Sequence, residues 1–377
     1  MILRRIALVD VRSYRALEWQ PDAAMNVVVG PNGTGKTNLL EAIALVGGMR
    51  LRPLVHEGDL VRHGAAGMAI TAELGVDAEA RGGTHEITFR LSGRSRRYLR
   101  DGQPLRPGQD GTPALVAFTP DDLDLVKGGP DARRHLLERD LSQLSLAYRD
   151  LLRRYARAVV QRNALLRAVA AGERGEGEIA PWDEAVAKLG ADVQRWRADA
   201  IGQLAPSVAD AYDALAGRPS AFAVSYRPRR MLGEDRDPST TGGAPGDEAA
   251  SLLAALRAAR RAELARGYTL LGPHRDDLDF VLGGAEMRAF ASQGEQRTAV
   301  VAVKLALLRR LAERRGDRPL LVLDDVLSEL DETRQDRLLG AAKGFQTFVT
   351  TTSAAPSADA KVWRTGGGGL TPWLAGA

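Results

Sequence analysis

With 377 residues and 44% hydrophobic side chains, the chain is long enough for one large domain or two ordinary ones. The absence of cysteine excludes disulfides and thiolate metal sites and fits a reducing, cytoplasmic setting. A formal net charge of +4 permits a nucleic-acid partner without demanding one, and no apolar run reaches the ~18 residues of a membrane span.

In chain order, residues 2–11 alternate as a strand and not as a signal-peptide core, and Met25–Val29 reads as a second strand. Residues 36–47 read as a helix. Between 68 and 117 lie short strands, MAITAELGV, HEITFRLSG, RRYLRDGQPL and ALVAF, with a hairpin turn expected at Asp101-Gly102. From Asp131 to about Leu215 the pattern is helical and strongly charged, broken by AAGERGEGEIAP. Residues 228–247, rich in Pro, Gly and charge, predict a loop. A helix is expected over 248–266, short strands over 268–271 and 278–282, and a long helix over 293–315. PLLVLDDV at 319–326 predicts a buried strand, and TFVTTT at 347–352 another. The five histidines, His56, His63, His85, His135 and His274, show no metal-ligand spacing.

The stretch VVVGPNGTGKTNLLEAI is the most informative. Gly30 to Thr37 fits G-x-x-x-x-G-K-[ST], the phosphate-binding P-loop, set between a strand and a helix. Gly30, Gly33 and Gly35 allow close backbone approach, so that successive N–H groups turn toward phosphate oxygens. Pro31, Asn32 and Thr34 complete the loop, and Asn38 follows it. Lys36 is placed to meet the β- and γ-phosphates and Thr37 to ligate Mg²⁺, while the helix start favours the anion. ATP with Mg²⁺ is the expected cofactor pair.

Asp324 ends the apolar strand PLLVLD, where an acid beside a P-loop holds Mg²⁺ directly or through water. Asp325 follows. Pleat alternation points it the other way, where it could polarise an attacking water. In FASQGEQRT, Ser292, Gly294 and Glu295 stand at the start of the long helix. Alone they read as an N-cap with a capping-box acid. Beside a P-loop they also read as a second anion site, which one nucleotide in one chain does not need but two facing chains would use.

The order P-loop, S-x-G-E-Q, D-D and S-E-L-D resembles the ATP-binding-cassette head of SMC-type proteins. Together with VRSYRALEW, FTPDDLDLVKGGPDARRHLLERDL and YTLLGPHRDDLDF, it resembles the RecF family from the first residues to about Thr352. The resemblance implies an α/β ATP-binding-cassette fold: a P-loop mixed sheet with an inserted, mainly helical lobe. Residues 1–130 would begin the ATPase lobe, 131–266 form the helical lobe, and 267–377 return to the ATPase lobe. It further implies a weak ATPase that dimerises head to head around ATP and binds duplex, gapped or junction DNA. Such a protein acts in recombinational repair with RecR and RecO, and indirectly RecA.

Carried over residue by residue, Arg12 and Ser13 would contact the nucleotide from the turn after the first strand. Lys36, Asp325 and Ser292 would be catalytic, Ser292, Gly294 and Glu295 acting in trans on a partner's γ-phosphate. Ser328 to Asp331 resemble the D-loop. Thr350 to Thr352 occupy the switch position without its histidine, and no Q-loop glutamine is evident. Arg52 or Arg62 reads equally as a phosphate contact or a surface arginine. Arg149, Arg153 and Arg157 on one helix face with Arg154 nearby, and Arg94, Arg96, Arg97 and Arg100 on a hairpin, read as DNA contacts or as solvated charge. Rival functions are a transporter-type ATPase subunit and an SMC-like structural head. The latter needs long heptads, whereas fewer than 260 residues separate Thr37 from Ser292.

Overall fold

Alternating side chains from Ile2 onward build a sheet first. β1 (Ile2–Val11) and β2 (Tyr14–Trp19) form a hairpin, and β3 (Met25–Val29) leads into a glycine loop and the helix Lys36–Val46. In this computed structural model, residues 1–51, 56–75, 83–106, 111–229, 248–352 and 360–373 are described. Arg52 and residues 230–247 of the expected loop lie outside them. β4 (Gly67–Gly75), β5 (Thr84–Ser92), β6 (Ser95–Arg100) and β7 (Gln103–Pro104) continue the first sheet, which is antiparallel with order β2-β1-β4-β5-β6-β7. The expected turn at Asp101-Gly102 is present: both residues have positive φ, 48° and 78°, as a two-residue hairpin between right-twisted strands requires.

β8 (Leu115–Phe118) belongs to a second sheet. Two compact units follow from the contacts: residues 1–124, 210–220 and 291–377, and residues 125–209 and 221–290. The second unit runs past the boundary expected at 266 because β10 (Asp277–Leu282) pairs antiparallel with β9 (Phe222–Arg227), with β11 (Ala285–Glu286) at its other edge. In the first unit β12 (Leu320–Asp324), β13 (Thr347–Thr351), β14 (Lys361–Gly366) and β15 (Gly369–Pro372) complete the second sheet, order β15-β14-β3-β13-β12-β8. It is parallel except for the terminal hairpin, whose Gly367 and Gly368 supply the two positive φ angles. Leu39, Leu40 and Ile43 of the helix Lys36–Val46 share one core with Leu3, Ile6, Leu8, Ile70, Phe89 and Val322. Trp19 meets Phe348 and Trp363 edge-on at 5.7 and 5.6 Å.

The second unit is mainly helical, with Leu146–Ala170, most of Ala180–Ala216 and Glu248–Arg266. Its core holds charge. Arg162, fully buried, donates to Asp183 (2.9 Å), Glu263 (2.6 Å) and Thr269 Oγ1 (2.8 Å). The strand expected over 268–271 is not formed. Asn163 accepts from the Thr269 N–H and Glu263 from the Leu270 N–H, so side chains do the work of a ladder there.

His274 sits against Tyr155 OH (2.7 Å, at Nδ1) and the Thr269 carbonyl (3.0 Å, at Nε2). A carbonyl only accepts, so Nε2 carries the proton and Nδ1 accepts from the phenol. Burial lowers the His274 pKa to about 4. The unfolded chain therefore binds the extra proton first. The contribution of His274 to stability is full above about pH 6.5 and is lost as pH falls toward 4, a swing of about 3 kcal/mol. Urea unfolding at several pH values is expected to show this slope in the wild type and a shallower one in His274→Gln.

Candidate nucleotide site

Two constraints shape the loop after β3. Gly33 and Gly35 have φ of 80° and 99°, and Gly35 caps the helix Lys36–Val46 in the left-handed conformation. The loop is also crowded from behind. A Cβ at Gly35 would lie 2.6 Å from Ser13 Oγ, and one at Gly30 would lie 2.1 Å from Thr365 Oγ1. Hydroxyls then fix it. Tyr14 OH donates to the Gly35 carbonyl (3.1 Å), Thr34 Oγ1 to the Pro31 carbonyl (2.8 Å), and Thr34 and Thr365 hydroxyls share a hydrogen bond of 2.7 Å. Asn38 Nδ2 donates to Ser13 Oγ (3.1 Å), and the Arg12 guanidinium lies 3.5 Å from Glu41.

Lys36 Nζ bridges the loop, donating to the carbonyls of Gly30 (2.6 Å) and Pro31 (2.9 Å). Burial lowers its pKa, against the pull of the Asp325 and Asp324 carboxylates. Asp324 ends β12, beside Thr350 on β13. Its Oδ1 accepts from Thr37 Oγ1 (3.0 Å) and Thr350 Oγ1 (2.8 Å). Asp325 does not continue the pleat: the strand ends at Asp324 and Asp325 takes φ 53°. Its N–H donates to Thr350 Oγ1 (3.0 Å), and its carbonyl accepts from Ser328 Oγ (2.7 Å). Asp325 Oδ1 is buried without a hydrogen-bond partner.

A second cluster heads the helix Gln293–Arg315. Ser292 Oγ accepts the Glu295 N–H (3.3 Å), while the Glu295 carboxylate accepts from both N (2.8 Å) and Oγ (2.8 Å) of Ser292. These bonds hold the Glu295 pKa down. The capping box is thus made. A Cβ at Gly294 would approach Arg334 Nη1 at 3.2 Å. Arg297 Nη1 donates to the Glu329 carbonyl (2.8 Å), and Asp331 caps the helix Glu332–Ala341, so Ser328 to Asp331 bridge the carboxylate pair and this helix start. No bond described joins Ser292 or Glu295 to the glycine loop.

Arg62 Nε donates to Asp10 Oδ1 at 2.6 Å. After β8, Thr119 and Asp122 form a capping box, and Asp122 also pairs with Lys304 (2.8 Å). Arg94, Arg96, Arg97, Arg153, Arg154 and Arg157 are exposed, whereas Arg149 and Arg100 are half-buried. Sequence reasoning missed Tyr14 and Thr365. Thr365 carries no local signal, since only the parallel pairing of β14 with β3 brings it to the loop.

Residues 2–363 match the family described as RecF/RecN/SMC N terminal domain. The chain is 40% identical over 359 residues to the DNA replication and repair protein RecF of Synechococcus sp. (strain JA-3-3Ab), covering 93% of this chain and 91% of the relative. The chain belongs to the RecF family of DNA replication and repair proteins. The corresponding RecF of Heliobacterium modesticaldum is 36% identical, with 93% and 92% covered. A solved structure of the recombination mediator protein RecF-ATP in the RecFOR pathway superposes with a TM-score of 0.86 at 26% identity, covering 99% of this chain and 98% of the other. An Smc head bound to the C-winged helix domain of ScpA shares the fold at a TM-score of 0.53 and 14% identity, covering 100% and 98%. This RecF-family chain therefore has the SMC-like ATPase fold: a P-loop mixed sheet with an inserted, mainly helical unit.

The contact between Gly30 and Thr365 gives a measurable coupling. Gly30→Ala is expected to cost about 1–3 kcal/mol through overpacking. Adding Thr365→Ala, which removes the clashing hydroxyl, is expected to recover at least half of that loss. Denaturant unfolding of the two single variants and the double variant checks it as a double-mutant cycle.

Proposed function

We propose that this chain is an ATP-dependent DNA-binding protein of recombinational repair. It takes ATP with Mg²⁺ at the glycine loop and closes head to head with a second copy around two nucleotides. The closed dimer grips duplex, gapped or junction DNA, and slow hydrolysis releases it. In the cytoplasm it works beside RecR and RecO to help RecA load at gaps. The observation that carries the reading is the meeting of Lys36, Thr37 and Asp324 at one strand edge, Thr37 to Asp324 at 3.0 Å. Membership of the RecF family and the RecF-ATP relative support it.

The residues fit magnesium and a triphosphate. Thr37 and Asp324 offer adjacent oxygen donors, hard ligands that suit Mg²⁺. Among the described residues no three His, Cys, Asp or Glu side chains gather as a cage. A cation held by one hydroxyl and one carboxylate must complete its shell with phosphate oxygens and water, the ordinary arrangement in phosphoryl-transfer sites. When bound, Mg²⁺ supplies positive charge against the charge developing on the transferred phosphoryl group.

The chain's own residues supply the rest. Lys36 exchanges the Gly30 and Pro31 carbonyls for phosphate oxygens, trading neutral acceptors for anionic ones. Asn32 to Gly35 present backbone N–H groups, and Arg12 and Ser13 border them. Asp325, with one unpartnered carboxylate oxygen, orients the attacking water. Ser292 with Gly294 and Glu295 completes the partner's site, and the Ser292 hydroxyl leaves its capping bond to do so. Arginines of the exposed patches neutralise DNA phosphates, which makes DNA affinity salt-dependent. No helix among the described residues is long and apolar enough to cross a membrane.

Lys36→Ala is expected to weaken ATP binding by at least about tenfold, because nothing else in the loop carries positive charge. Equilibrium titration with labelled ATP reads it, and wild-type affinity with wild-type turnover would sink the site. Ser292→Arg is expected to bind ATP near normally while failing to dimerise, hydrolyse ATP or hold DNA. Sedimentation with ATP, beside DNA titrations at several salt concentrations, decides between a trans site and a mere helix cap.

A further inference from the structure

Thr350 has no exposed surface, yet its hydroxyl stands between the two acids of the site. Its position follows from the sheet. β13 pairs in parallel with β12 on one side and β3 on the other, so Thr350 is in register with Asp324 and with Val28. A β-branched residue suits a buried central strand, where valine would fill the same space. The hydroxyl is what valine lacks.

The chemistry of the partners fixes the direction of every bond. The Asp325 N–H can only donate, and it donates to Thr350 Oγ1 at 3.0 Å. Having accepted that N–H, the Thr350 hydroxyl gives its single proton to Asp324 Oδ1 at 2.8 Å. Thr37 Oγ1 donates to the same Oδ1 at 3.0 Å. A directed chain therefore runs from the Asp325 amide through Thr350 to Asp324. No rotation of the hydroxyl keeps both bonds in another sense.

The same chain holds a conformation that the backbone disfavours. Asp325 has φ 53°, in the left-handed region that an L-residue rarely adopts. Thr350 holds its N–H and Ser328 Oγ its carbonyl, at 2.7 Å, so one hydroxyl clamps each side of the residue. That clamp aims the Asp325 side chain, whose Oδ1 is buried and unpartnered.

We propose that Thr350 is a positioning residue for phosphoryl transfer, setting Asp324 for the metal and Asp325 for water through one hydroxyl. The inference rests on the reading of Asp324 and Asp325 as the magnesium and hydrolytic acids. It adds a residue whose hydroxyl is bonded to both acids. Outer-shell partners of this kind ordinarily change metal affinity or activity about 10–100-fold when removed.

The test compares wild type, Thr350→Val and Thr350→Ser in the full chain. Without nucleotide, amide hydrogen exchange at Asp325 is expected to quicken at least about tenfold in Thr350→Val and to stay near wild type in Thr350→Ser, because only the hydroxyl protects that N–H. With a fluorescent ATP analogue, the Mg²⁺ concentration for half-maximal binding is expected to rise about tenfold in Thr350→Val, and kcat to fall about 10–100-fold with a smaller change in KM. Thr350→Ser restores all three. Thr350→Cys, of similar shape with only a weak S–H donor, replaces the valine variant if that protein does not fold. A hydroxyl-free variant with wild-type Asp325 exchange, Mg²⁺ dependence and turnover overturns the proposal. Slower turnover that Thr350→Ser does not rescue also overturns it, since shape and not the hydroxyl would then be responsible. A wild type without Mg²⁺-dependent ATP binding sinks the ATP reading itself, and is told apart because it appears before any substitution is made.

Discussion

A single carboxylate oxygen, Asp324 Oδ1, gathers the site. Thr37 reaches it from the helix after β3, and Thr350 reaches it from β13. Both can do so because β13 lies between β3 and β12 with all three strands parallel, which brings their carboxyl ends to one edge of the sheet. The glycine loop, the carboxylate pair and the Ser328 turn are then neighbours by construction. Changing the register of β13 by one residue would turn Thr350 to the other face and separate the two halves.

The loop itself is held by contacts on its back. Tyr14 and Thr365, from two different sheets, and Ser13, in the turn before Tyr14, meet Gly35 and Gly30 where no Cβ fits. The glycines thus serve two needs, positive φ at Gly33 and Gly35 and close approach at Gly30 and Gly35. A motif written for phosphate is also a motif written for its own packing.

Much of this was legible in the sequence, and the reason is local. The P-loop, the helix Gln293–Arg315 and the strand before Asp324 each declare themselves through spacing and periodicity within a few residues. What escaped was set by partners far along the chain. Thr365 meets Thr34 across 331 positions, and nothing around either residue announces the other. Segment 268–271 looked like a strand because Tyr268 to Leu271 are β-formers, but Asn163 and Glu263 satisfy its backbone first. Asp325 was expected to follow the pleat, and the two hydroxyls of Thr350 and Ser328 hold it out of the pleat instead. Arg162 read as one more charge on a charged helix. Its three buried acceptors come from segments up to 107 residues away.

The place of β3 in its sheet has a consequence for synthesis on the ribosome. β3 is made among the first thirty residues, yet both strands that flank it, β13 and β14, come from the last stretch of the chain. The Thr34–Thr365 contact spans 331 residues. At translation rates of roughly 5–20 residues per second, the glycine loop waits on the order of 15–65 s for its neighbours. The segments of the second unit, residues 125–209 and 221–290, emerge and can condense during that wait. A nascent chain therefore carries an apolar strand, Val27 to Val29, whose two flanking strands begin only at Thr347 and Lys361. The segments of the helical unit therefore leave the ribosome before the glycine loop gains the Thr365 contact that backs it.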